Sequence, residues 1–225
     1  MLSIVLPCFN EELNIEPVIR STAGWLQTKN QPFEIIAVDD GSQDKTGELL
    51  KKIGHEIPSL RIVTHEQNLG YGVAVRSGCD AALGEIIGFM DSDGQFEAKE
   101  FDLLLPHLQN FSFVTGRRIH RADPLLRRIF GKLLGIMNLL ILNLWVRDIN
   151  CGLKVFRREI WPALRPVHGV EKLFNTEVFL NLKRKKIPWY QVPVPHYPRK
   201  SGVQTGGSIR VIFRMFKELW NLKVT

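Results

Sequence analysis

Cysteine is scarce in these 225 residues: Cys8, Cys79 and Cys151 stand far apart and form no C-x-x-C pair. That spacing argues against a disulfide framework or a zinc site and suits a reducing, cytoplasmic compartment. A spanning helix needs ~20 apolar residues. The longest apolar stretch, LLGIMNLLILNLWV at 133–146, is shorter than that and contains two asparagines. MLSIVLPCFNEE at the start has no basic segment and no cleavage site of a secretory signal, so it reads as a first strand. The P-loop pattern is absent. The dinucleotide fingerprint also fails, because Val75 stands where the third glycine after Gly70 and Gly72 belongs. Internal repeats and Pro/Ser-rich linkers are lacking too. With 44% hydrophobic and 24% charged residues, the chain is expected to form one domain, residues 1–225, with an ample core.

The charge is unevenly distributed. Residues 1–113 carry 8 Lys and Arg against 17 Asp and Glu, a net of −9. Residues 114–225 carry 22 against 6, a net of +16. An acidic half suits a metal ion, and a basic half suits phosphates, nucleic acid or an anionic membrane. Solvated surface charge is the plain alternative. No aromatic-interleaved basic sheet or nucleic-acid motif is present, which argues against a nucleic-acid partner.

Near-continuous apolar runs at 2–7, 33–42, 60–66 and 85–93 alternate with helical patterns at 12–28, 45–54 and 73–83. Such a pattern predicts a mostly parallel sheet covered on both faces by helices. Asp44 is positioned to cap the second helix. Further on, Asp123-Pro124 predicts the start of a helix reaching about 146. Residues 148–158 read as extended, 175–185 as a helix ending in KRKK, and the proline-interrupted 189–198 as an edge strand or loop. A last amphipathic helix is expected at 208–222.

Ligands of parallel α/β sheets bind beyond the carboxyl ends of the strands. Asn10 and Glu11 follow the first run, Asp39 and Asp40 end the second, and Asp91 and Asp93 end the fourth. In extended chain Asp91 and Asp93 point the same way, so the pair can hold a hard cation against a diphosphate. Acids at a strand–loop junction are otherwise turn formers. The glycines of NLGYG (68–72) allow close backbone approach, and Arg76 offers a planar donor for phosphate. A tight strand–helix turn explains the same residues without a ligand.

PCFNEE, VDDGSQDKT, NLGYG and DSDGQ, in this order and spacing, resemble glycosyltransferase family 2, with its GT-A (nucleotide-diphospho-sugar transferase) fold. DINCGLKVFR, FNTEVFL and HYPRKSG are similar to its polyprenyl-phosphate branch, which includes the dolichol-phosphate mannose synthases. The resemblance covers roughly residues 3 to 207. It implies a donor pocket for a UDP- or GDP-sugar formed by Pro7, Asn10, Glu11, Asp39, Asp40, Arg76, Asp91 and Gln95. It also implies a divalent cation, Mg²⁺ or Mn²⁺, on Asp91 and Asp93. Asp148 matches an acid beside the acceptor, and Arg117 and Arg199 match basic positions near an acceptor phosphate. Glu177 falls in the segment like the family's second acidic motif, or is a helix-surface acid.

The activity implied is inverting, metal-dependent transfer of a sugar to a polyprenyl phosphate, with residues 1–113 binding the donor and 114–225 the acceptor. A hydroxyl acceptor, for which Asp148 would serve as general base, and a non-catalytic nucleotide-sugar-binding protein are the alternatives. Residues 124–146, with Arg127, Arg128 and Lys132, and the last helix suit peripheral contact with the inner face of a membrane.

Overall fold

The computed structural model describes residues 1–119, 125–169 and 173–199. Its centre is a seven-stranded sheet of β1 (Leu2–Cys8), β2 (Phe33–Asp39), β3 (Leu60–Thr64), β4 (Ile86–Met90), β5 (Phe113–Arg118), β6 (Leu153–Arg157) and β7 (Trp189–Val194), in the order β3-β2-β1-β4-β6-β5-β7. β1 to β4 run parallel, β6 lies antiparallel between β4 and β5, and β7 pairs parallel with β5.

Each central strand feeds two cores. Side chains alternate across a strand, so Leu2, Ile4 and Leu6 enter one core with Ile35 and Ala37. There they meet α1 (Ile15–Gln27) and α2 (Thr46–Glu56), through residues such as Ile19, Leu26 and Ile53. Val5, Ile36, Val38 and Phe89 enter the opposite core with α3 (Tyr71–Ala81), α5 (Leu125–Leu142) and α7 (Leu173–Arg184). That double burial is why β1 reads as a near-continuous apolar run, broken only by Ser3, which donates to Glu34 (2.6 Å). Each such apolar side chain contributes roughly 1.5–3 kcal/mol. α3 lies close because Gly78 faces the sheet: a Cβ there would sit 2.2 Å from Val5 Cγ1. The short helices α4 (Phe101–Leu104) and α6 (Trp161–Leu164) complete the set.

The expected strands and helices of the first half all form, with ends shifted by a few residues. Asp44 does receive the Thr46 N–H (2.9 Å), although the N-cap position itself is Lys45. Three features of the second half depart from expectation. β5, containing Val114-Thr115-Gly116-Arg117-Arg118, was not anticipated, because two arginines disguise its apolar start. α5 stops at Leu142 rather than 146, where Asn143 adopts a left-handed φ of 49°. Residues 148–151 form a turn, closed by the Cys151 N–H to the Asp148 carbonyl, and extended chain begins only at Leu153. β7, which contains Pro193, lies at the edge of the sheet, where a strand proline is tolerated. The expected cap at 123–124 and helix at 208–222 lie outside the described residues, as do the side chains of Arg127 and Arg128.

Candidate active site

The ends of β1, β2 and β4 form one acidic floor. Asn10, with a left-handed φ of 54°, accepts the Gln43 N–H (2.8 Å), while its own N–H donates to Ser42 Oγ (3.0 Å). Asp39 accepts the Ser42 N–H (3.0 Å), so the loops after β1 and β2 are tied together. The Pro7 carbonyl accepts from Ser92 Oγ (2.5 Å), which fixes the loop after β4 to the end of β1.

Asp40 has a different task from its neighbour. It accepts the N–H groups of Leu69 (3.0 Å) and Gly70 (2.9 Å) and lies 2.6 Å from His65 Nδ1, while His65 Nε2 is 2.9 Å from Ser77 Oγ. This Asp-His-Ser chain pins the turn 65–70 to α3. Arg76, expected in the donor pocket, donates to the Pro166 carbonyl (3.2 Å).

Asp91 and Asp93 follow β4. Tyr71 Oη donates to Asp91 Oδ1 (2.9 Å), and the Asp91 N–H reaches the Gly152 carbonyl (3.2 Å). Asp93 accepts the Gln95 N–H (3.1 Å). Burial, followed by the Asp91 charge, raises the Asp93 carboxyl to about 6. Burial and the Asp91 carboxylate together push the Tyr71 phenol well above its usual value, so it stays protonated and donates. Arg199 reaches in from beyond β7: Nη2 lies 2.5 Å from Glu11 Oε1 and Nη1 lies 3.6 Å from Asp93 Oδ2. Asn14 Nδ2 donates to the second Glu11 oxygen (2.7 Å). Gln95 and Tyr197 bond reciprocally through Gln95 Nε2 (3.1 Å) and the Tyr197 N–H (3.1 Å), joining the β4 loop to the segment that carries Arg199.

The donor set fits a hard cation: two carboxylates on one loop are close enough for one to raise the other's pKa. Among the described residues no cluster of three or more His, Cys, Asp or Glu could hold a metal unaided. Two carboxylates completed by diphosphate oxygens and water are the usual arrangement for Mg²⁺.

Asp148 is not an open base. Arg118 grips it bidentately through Nε and Nη2 (both 2.8 Å) and adds its backbone N–H (3.0 Å), with both side chains largely buried. Adjacent residues of β5 face opposite ways, so Arg117 is the one free of this pair. Glu177 is neither an open acid nor a surface acid: it is buried and accepts the N–H groups of Val167, His168 and Gly169 at 2.6–3.3 Å. It therefore holds the loop whose Pro166 carbonyl receives Arg76.

Tyr71, Arg118 and Lys154 were missed in the sequence. The wholly buried Lys154 ammonium donates to the Cys151 carbonyl and lies 5.2 Å from the Phe89 ring centre. Burial lowers its pKa to about 8, against the opposing pull of Cys151, Asp91 and Asp148. The signal available was a lysine inside an otherwise apolar strand, LKVF. The three cysteines are buried free thiols, as their spacing suggested.

A mostly parallel sheet thus carries paired carboxylates past β4, with Arg199 brought beside them from late in the chain. The family model of glycosyl transferase family 2 matches residues 3–164, and the chain belongs to that family. A dolichyl-phosphate beta-glucosyltransferase of Trichomonas vaginalis is 30% identical over 85% of this chain and 62% of its own length. A dodecaprenyl-phosphate galacturonate synthase of Rhizobium johnstonii is 30% identical over 97% of this chain and 65% of its own. The chain thus spans less than two thirds of either relative. The crystal structure of glucosyl-3-phosphoglycerate synthase from Mycobacterium tuberculosis, in complex with Mn²⁺, UDP and phosphoglyceric acid, has a TM-score of 0.69 at 23% identity and covers 97% of this chain and 78% of that one. The fold is of the GT-A class.

Proposed function

We propose that this protein transfers a sugar from a uridine or guanosine diphosphate sugar to a polyprenyl phosphate, with inversion at the anomeric carbon. The observation that carries this is the carboxylate pair Asp91 and Asp93, with Arg199 beside it, at the carboxyl end of β4. Residues 1–113 would form the donor half and 114–225 the acceptor half. The named relatives, both polyprenyl-phosphate sugar transferases, support the lipid acceptor.

A phosphate oxygen of the acceptor forms the new bond to the anomeric carbon. The bond from that carbon to the donor's diphosphate breaks, and the nucleoside diphosphate leaves with the electron pair. A Mg²⁺ or Mn²⁺ ion on Asp91 and Asp93 would supply Lewis-acid stabilisation of the leaving group. Arg199, paired with Glu11, would meet phosphate charge, and Arg117 would offer a second guanidinium suited to bidentate contact. A lipid phosphate is already ionised and needs no general base. This agrees with Asp148 being held by Arg118 as a fixed part of the acceptor wall.

Membrane contact is part of the same proposal. Along α5 and the turn after it, Leu133, Ile136, Leu139, Leu140 (77% exposed) and Trp145 (60%) face outward. Lys183 bonds the Leu142 and Asn143 carbonyls, which sets the exposed Arg184, Lys185 and Lys186 beside this apolar face. Apolar side chains flanked by cations suit the surface of an anionic bilayer, such as the inner face of a cytoplasmic membrane. Among the described residues no helix is long and apolar enough to cross one.

The test is a transfer assay with purified protein, a panel of sugar nucleotides, polyprenyl phosphate and polyprenol as acceptors, with and without chelator. Transfer to the phosphate alone, abolished by chelator and reduced ~10²–10³-fold in Asp93→Asn, is the expected result. Transfer to the alcohol instead, or donor binding without turnover, would overturn the proposal.

A further inference from the structure

We infer that Tyr71 and Gly152 are positioning residues for the Asp91 carboxylate, fixing the orientation in which it meets a divalent cation and a diphosphate. The inference rests on the donor-site reading above. Two different parts of the chain meet the Asp91 carboxylate, one by a hydrogen bond and the other by the space that a missing side chain leaves. Oδ1 accepts from Tyr71 Oη at 2.9 Å. Oδ2 lies where a side chain on residue 152 would begin: a Cβ built on Gly152 falls 1.9 Å from Asp91 Oδ2 and 2.2 Å from its Cγ. The Asp91 N–H also donates to the Gly152 carbonyl, so backbone and side chain of Asp91 are registered on the same residue.

The clamp is itself supported. Tyr71 opens α3, and its ring meets Phe174 of α7 edge-on (centroids 6.3 Å apart, planes at 88°). Phe174 meets Phe89 of β4 the same way (6.2 Å, 73°), which ties the tyrosine back to the strand that presents Asp91. Gly152 stands between the turn 148–151 and β6, so the acceptor half supplies the wall against which a donor-half carboxylate rests. Only a residue without a side chain permits that approach. Groups that orient a metal-binding carboxylate without touching the metal typically account for 10–100-fold in metal affinity.

The experiment measures Mn²⁺ affinity by electron paramagnetic resonance at saturating UDP. It also measures UDP affinity without metal by calorimetry, and thermal unfolding. The proteins compared are the full chain, Tyr71→Phe and Gly152→Ala. Tyr71→Phe keeps the ring packing and removes only the hydroxyl. Its Mn²⁺ affinity should fall about tenfold while metal-free UDP affinity stays within twofold and unfolding remains cooperative. Gly152→Ala should lose at least as much Mn²⁺ affinity, and if it fails to fold, Tyr71→Phe decides alone. Unchanged Mn²⁺ affinity in Tyr71→Phe, or equal losses for Mn²⁺ and metal-free UDP, would overturn the inference and leave the donor-site reading intact. A wild-type protein that takes up no Mn²⁺ with UDP would overturn both.

Discussion

The two halves of the sheet solve opposite electrostatic problems. β1, β2 and β4 deliver carboxylates to one edge, Glu11 after the first, Asp39 and Asp40 at the second, and Asp91 and Asp93 after the fourth, within a half of net charge −9. The second half brings cations to those acids: Arg199 onto Glu11 and Asp93, and the Lys154 ammonium, whose charge interacts with Asp91, while Arg118 pairs with Asp148 of the same half. The asymmetry along the chain is therefore partly cancelled inside the fold rather than displayed on two solvated faces. Acids brought together at one edge of a sheet need positive charge nearby, and here Arg199 of the other half provides it.

The largest effect is expected at the buried pair Arg118–Asp148, in which the second half neutralises an acid of its own. Arg118→Ala removes the guanidinium that grips a buried carboxylate, so a loss of about 3–5 kcal/mol is expected in urea unfolding. The double variant Arg118→Met with Asp148→Leu should cost less than Arg118→Ala. Equal costs would mean that packing, not charge, makes the site sensitive. A smaller effect is expected at Glu177, which satisfies three backbone N–H groups. Glu177→Ala strands those donors and should cost about 1–3 kcal/mol. Faster proteolysis within 166–169 would accompany it, and an unaltered protease pattern would show that the loop is held by something else.

The smallest effect belongs to Glu100, a buried acid to which the second half brings no cation among the described residues. Neither of its oxygens has a hydrogen-bond partner among the described residues, and burial raises its pKa to about 7. Because the folded state keeps this proton to a higher pH than the unfolded chain does, the stabilisation is complete below the ordinary carboxylate pKa. It is lost as pH rises through about 7. Urea midpoints should therefore fall from pH 5 to pH 8 in the wild type and fall less in Glu100→Gln. Parallel pH profiles would remove Glu100 as the cause.

How much of the site was legible depended on whether a residue's partner was local. The strand-end acids were readable because a parallel strand buried on both faces is an apolar run, and its first polar residues must lie at the sheet's edge. Asp39 and Asp40 look alike in sequence, yet one ties the loop at 42 and the other the turn at 69–70. Arg117 and Arg118 are likewise adjacent, and only the facing of β5 decides which is locked to Asp148. Glu177 read as an acidic-motif residue or a surface acid because its three donors lie in a loop, not on its own helix.

By itself the sequence determined the alternation of strands and helices, the acidic strand ends and the family motifs, since each depends on residues a few positions apart. Tertiary structure alone decided the antiparallel β6, the grip of Arg118 on Asp148, the reach of Arg199 to Glu11 and the clamp of Tyr71 and Gly152 on Asp91. These contacts join residues 20 to 188 positions apart. Periodicity and composition carry no record of which distant side chain a burying strand turns toward, so only packing could choose among them.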